Sequence, residues 1–145
     1  MPSTIYLIRH TESRHNVTKD FSHRDPPLTA LGTAQSTALG ASFPALSTVG
    51  IILVSPLTRA IETTLAAFGP LLNTKSDARN PAPKAKLILD PYLQERSALP
   101  CDTGLSATAL KANFPALEAY IDEGVSGLEE EWFVKEGFLR RMMTR

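Results

Sequence analysis

The chain has a single cysteine, Cys101, in 145 residues. An internal disulfide is therefore excluded, and a reducing compartment suits the protein. There is no excess of charge of either sign: 15 Lys and Arg balance 15 Asp and Glu. That balance gives no reason to expect nucleic acid or a membrane surface as a partner. No apolar run approaches the roughly 20 residues that cross a bilayer, and no charged start leads into an apolar stretch and a cleavage site. A cytoplasmic protein is the expectation. Histidine is scarce as well, with His10, His15 and His23 all in the first 23 residues. Their spacing is not that of zinc ligands, so neither a metal nor another cofactor is expected.

What remains is an ordinary globular composition, 43% apolar and 21% charged. This length predicts one domain, residues 1–145, with a single core. The informative stretch comes first. Ile5-Tyr6-Leu7-Ile8 run straight into Arg9-His10. An apolar run without polar alternation predicts a strand over 4–9, buried on both faces as in a parallel sheet. Arg9 and His10 then stand at its carboxyl end, where open α/β sheets bind ligands. A guanidinium is a permanent fork of donors for phosphate, and an imidazole is a nucleophile or acid/base near neutral pH. The pair suits a small phosphorylated or otherwise anionic metabolite.

Residues 11–27 are polar, end in Asp25-Pro26-Pro27, and read as a loop with at most a short helix. The pattern predicts a helix over 30–43, with Thr29 as its cap and Leu31, Ala34, Ala38 and Ala41 on its packed face. Val49–Val54 reads as a second strand. A helix follows it, capped by Ser55 and opened by Pro56, with Arg59 about one turn inside. Residues 69–85 read as a long loop and Lys86–Leu89 as a third strand. Helices are expected at 106–114, capped by Ser106, and at 116–123. An amphipathic helix over 128–144 would carry Trp132, Phe133, Phe138 and Leu139 on its apolar side. Cys101 sits in a turn-rich loop with no dyad signature and is read as structural; His15 and His23 are read as solvated loop residues.

Three blocks point further. Arg9-His10-Thr11-Glu12-Ser13 with Asn16, then Leu28-Thr29-x-x-Gly32-x-x-Gln35, then Ser55-Pro56-Leu57-Thr58-Arg59-Ala60-x-x-Thr63, resemble the histidine phosphatase superfamily, in its phosphoglycerate-mutase-like branch. The likeness runs over roughly residues 4–105, in the family's order and spacing. It implies a three-layer α/β/α fold around a mostly parallel sheet. It implies that His10 is a nucleophile that becomes a phosphohistidine. Arg9, Arg59 and Asn16 would hold the phosphate, and Glu95, within Leu93-Gln94-Glu95, would protonate the leaving oxygen. Glu12, Glu62 and Asp102 are further carboxylates near that site. Thr11 stands where many members have glycine. The family's second histidine, followed by glycine at the end of a later strand, has no counterpart here, and the strand that carries it is expected to be missing. The resemblance therefore implies a phosphohydrolase acting on a small phosphorylated metabolite. The alternative is a divergent or inactive member whose anion pocket binds a ligand or runs a different acid/base reaction. An absent strand would leave an open sheet edge, and such edges favour pairing between chains, so a homodimer is expected.

Overall fold

A computed structural model describes residues 4–72, 85–123 and 129–135. In chain order the elements are α1 (Arg14–Thr18), α2 (Ala30–Ser42), β1 (Ile51–Val54), α3 (Thr58–Phe68), β2 (Lys86–Leu89), α4 (Ala107–Asn113) and α5 (Glu118–Glu123), with single 3-10 turns between them. β1 and β2 pair in parallel, Ile51 opposite Lys86 and Val54 opposite Leu89. Parallel neighbours need a crossover, and α3 supplies it. The architecture is α/β with a parallel sheet, as the sequence predicts.

The core lies on one face of that pair. Val54, Leu87 and Leu89 from the strands meet Leu57 and Ile61 from the start of α3, Leu110 from α4, and Ile121 from α5. Trp132 closes this cluster and donates its indole N–H to the Leu105 carbonyl at 2.8 Å. On the opposite face Ile51 and Leu53 are exposed.

Several expectations change. Residues 5–8 join no strand among the described residues; Ile5 and Leu7 are 90% and 99% exposed. An apolar run specifies an affinity for burial, but a ladder also needs a neighbour for its N–H and C=O groups, and the described sheet has two strands elsewhere. Tyr6 instead packs edge-on against Phe43, their ring centroids 4.9 Å apart.

The packed face of α2 is not Leu31, Ala34, Ala38 and Ala41 but Gly32, Ser36 and Gly40. A Cβ on Gly32 would come within 2.0 Å of the Glu12 carbonyl oxygen, and one on Gly40 within 2.1 Å of the Ala67 carbonyl oxygen. The helix approaches at backbone distance, so the residues without side chains face inward and Leu31 faces out. Thr29 does cap α2, accepting the Gly32 N–H at 3.0 Å.

The second strand begins at Ile51 rather than Val49. The cap expected at Ser55 is not used. α3 starts at Thr58, and its first N–H is accepted by the Asp25 carboxylate at 2.9 Å, across 33 residues of sequence. Arg59 consequently lies at the very start of α3. Ser106 caps α4, accepting the Ala109 N–H at 3.2 Å. Residues 130–133 form turns, not the helix expected from 128. Residues 136–144 of that helix, with Phe138 and Leu139, and 73–84 of the long loop lie outside the described residues.

Candidate active site

Thr11 ties the three sequence blocks together. Its hydroxyl donates to the Gly32 carbonyl at 2.8 Å and lies 2.7 Å from Ser36 Oγ, while its N–H donates to Thr63 Oγ1 at 3.3 Å. The segment bearing His10 is thus pinned to both α2 and α3. The hydroxyl that stands in place of glycine has partners, so it is accommodated.

His10 is half-buried, and its Nδ1 lies 2.7 Å from the Thr11 carbonyl oxygen. A carbonyl can only accept, so Nδ1 carries the proton and Nε2 keeps its lone pair. Burial, with Arg59 and Arg9 nearby, holds this imidazole below the ordinary histidine value; Thr11 and Glu95 pull the other way. The neutral, nucleophilic form is favoured.

Arg59 is 1% exposed. Its Nη1 donates to the Cys101 carbonyl at 2.7 Å and its Nη2 to Asp102 Oδ1 at 2.9 Å. Glu95 Oε1 lies 3.8 Å from the same Nη2. Nε is buried without a partner. Glu95 is exposed. The other carboxylates are committed: Glu12 accepts the Thr29 hydroxyl at 2.6 Å, and Glu62 accepts the Leu28 N–H at 2.7 Å. The loop that carries Glu95 and Asp102 is clamped by Lys135, whose ammonium donates to the carbonyls of Glu95, Ser97 and Asp102.

Arg9 is exposed and bears on His10 through its charge. Asn16 turns inward: its Oδ1 accepts both the Ser13 N–H, at 3.1 Å, and the Ser13 hydroxyl, at 2.8 Å. Of the five candidates, His10, Arg9, Arg59 and Glu95 form one electrostatic cluster. Asn16 belongs to the α1 turn beside it.

The structure buries two titratable residues of the loop expected over 11–27. His15, read as solvated, is 8% exposed, and its ring centroid lies 6.1 Å from that of His10. The signal was the Ser13-to-Asn16 spacing, which folds the chain back at the start of a helix and turns position 15 inward. Asp25 is 4% exposed and accepts the Thr58 N–H, the Thr58 hydroxyl and the Leu105 N–H. Burial raises its pKa, against those bonds and Arg59. Its φ of 43° lies in the left-handed region that Asp and Asn tolerate better than most residues. An open cleft of about 390 Å³ borders Asp25, Thr58 and Glu62, and none of the five candidates lines it. Among the described residues no group of His, Cys, Asp or Glu is placed to hold a metal ion, and no helix is long and apolar enough to cross a membrane.

An imidazole beside guanidiniums and a carboxylate, set in an α/β domain, makes a cluster of groups that an anionic ligand suits. The chain belongs to the histidine phosphatase superfamily (branch 1), whose model matches residues 5–124. It is 30% identical to a phosphoglycerate mutase-like protein of Arabidopsis thaliana, over 83% of this chain and 55% of that protein. It is 31% identical to a probable phosphatase of Schizosaccharomyces pombe, over 79% of this chain and 51% of that protein. The chain thus spans about half the length of these curated relatives. No solved structure gives a significant match.

Proposed function

We propose that the chain is a phosphoric monoester hydrolase that works through a phosphohistidine at His10. The observation that carries this reading is the 2.7 Å contact of His10 Nδ1 with the Thr11 carbonyl. It leaves Nε2 as a fixed lone pair beside two arginines. In the first step Nε2 bonds to phosphorus as the ester P–O bond breaks, and Glu95 gives its proton to the departing oxygen. In the second step water attacks phosphorus, Glu95 takes the water's proton, and the N–P bond breaks to release phosphate. Arg9, Arg59 and Asn16 hold the phosphoryl oxygens. Such transfers depend mainly on positioning and charge stabilisation, which this set supplies without a metal. The substrate is a small phosphorylated metabolite, and the setting is cytoplasmic, in keeping with a lone buried thiol.

The test is phosphate release from an aryl phosphate and a panel of phosphorylated metabolites, by wild type and His10→Ala. Wild type should turn over and leave an acid-labile phosphoprotein on rapid quench; His10→Ala should do neither. A wild type that releases no phosphate and traps no phosphoprotein ends this reading. One observation favours a second reading. Arg59 already gives two donors to Cys101 and Asp102, as suits a member that binds an anionic metabolite without turning it over.

A further inference from the structure

We propose that Lys135 is a positioning residue for the acid step, its ammonium holding the backbone of Glu95 so that the carboxyl reaches the departing oxygen. The inference rests on the phosphatase reading above and adds a residue to it. Atomic contacts carry it. Lys135 Nζ donates to the Glu95 carbonyl at 2.5 Å, to the Asp102 carbonyl at 2.9 Å and to the Ser97 carbonyl. An ammonium has three donors and no acceptor, so three convergent carbonyls satisfy it in full. Glu95 and Asp102 are also the residues whose carboxylates face Arg59 Nη2, at 3.8 Å and 2.9 Å. One cation thus holds the main chain of the same two residues whose side chains meet another.

The loop needs this tie unequally along its length. Its far part has anchors of its own. The Cys101 carbonyl accepts from Arg59, the Cys101 N–H donates to the Phe21 carbonyl, and the Pro100 carbonyl accepts the Asp25 N–H. The near part, 95–97, belongs to no helix or strand. Among the described residues, its backbone bonds to the rest of the fold are those made by Lys135. The lysine is itself well placed to hold. Trp132, three residues earlier, is buried, bonds Leu105 through its indole, and accepts the Gln94 side-chain amide on its carbonyl at 3.3 Å. The turn that carries Lys135 is therefore fastened at both ends of the loop.

The consequence is chemical. A proton donor works only within hydrogen-bond reach of the oxygen that receives the proton. The exposed Glu95 carboxyl makes only the 3.8 Å contact with Arg59 among the described residues. Its reach is then set by its backbone, and fixing a carbonyl fixes the peptide plane beside the Cα that bears the side chain. Burial lowers the Lys135 pKa, whereas Asp102 and Glu95 raise it and so favour the charged form.

The test compares wild type with Lys135→Met, which keeps the stem and loses the ammonium, on two esters. Nitrophenyl phosphate has a leaving group that departs without a proton; phenyl phosphate has a more basic one that needs it. The readout is kcat/KM, which reports the step that breaks the ester bond. Lys135→Met should lose roughly 100-fold on phenyl phosphate, the size of a misplaced catalytic group, and about tenfold less on nitrophenyl phosphate. In a Glu95→Gln background, Lys135→Met should open no gap between the esters. A fold that is merely loosened loses equally on both. Equal losses, or a phenyl phosphate value within twofold of wild type, overturn the inference and leave the phosphatase reading standing. If Lys135→Met fails to fold by circular dichroism, Lys135→Arg carries the same comparison, because a planar fork cannot meet three carbonyls gathered round one point. A wild type that cleaves neither ester and traps no phosphohistidine overturns the phosphatase reading, and this inference with it.

Discussion

Asp25→Ala should be one of the most damaging single changes in this protein. The carboxylate accepts Thr58 N–H at 2.9 Å, the Thr58 hydroxyl at 2.8 Å and Leu105 N–H at 3.3 Å, and is 4% exposed. Alanine leaves all three donors without that acceptor. The hydroxyl can rotate, so two N–H groups remain orphaned, that of buried Thr58 and that of half-buried Leu105, at about 1–3 kcal/mol each. Alanine at φ 43° adds roughly 1 kcal/mol. The total is about 3–7 kcal/mol, a large part of the roughly 5–15 kcal/mol that holds a domain together. Asp25→Asn keeps an acceptor for Thr58, tolerates the backbone and removes a buried charge; about 1 kcal/mol is expected. The assay is urea unfolding followed by fluorescence of Trp132, the only tryptophan, whose indole bonds Leu105 beside the Asp25 contact. The pH dependence has a definite sign. Burial raises the folded pKa of Asp25, so its favourable contribution is complete below the unfolded value, roughly 3.9, and is lost as pH rises through the folded value. Asp25→Asn should therefore gain on wild type across that rise. An alanine variant within about 0.5 kcal/mol of wild type would refute the tertiary cap, as would an asparagine variant equally unstable.

Two further outcomes follow from the geometry. The folded pKa values of His10 and His15 are both depressed, chiefly by burial; stability should be full above about pH 6.5 and fall as pH drops through the folded values, and the acid limb of kcat/KM should lie below that same pH. The exposed Ile5, Leu7, Ile51 and Leu53 should make the protein self-associate, seen as a mass that rises with concentration in light scattering; a monomer at all concentrations contradicts it.

The parts of the fold that were legible in the sequence are those written in local chemistry. Thr29 and Ser106 cap the helices they precede because a cap needs only its own next turn. Lys86–Leu89 is a strand at its predicted bounds. What escaped depends on distance in sequence. α3 is capped from Asp25 rather than Ser55, and no local pattern encodes a partner 33 residues away. The inward face of α2 was misread because hydrophobicity ranks leucine above glycine, whereas close backbone approach reverses that ranking. In the site, the motif residues Arg9, Arg59 and Glu95 all bear electrostatically on His10, and Glu95 lies 3.8 Å from Arg59. The burial of His15 escaped, because it depends on how one short turn closes.

The bond between Arg59 and Asp102 changes how binding should be thought about. The guanidinium is not waiting for an anion; it already holds one that is covalently tethered to the same chain. On the proposed reading, phosphate entering this seat would perform an ion exchange. Its affinity is set by the difference between two anions, one of them held at a high effective concentration by the backbone. On that reading the same tether would also work on the way out, with the returning carboxylate displacing the product, so the arrangement would trade tight holding for rapid release.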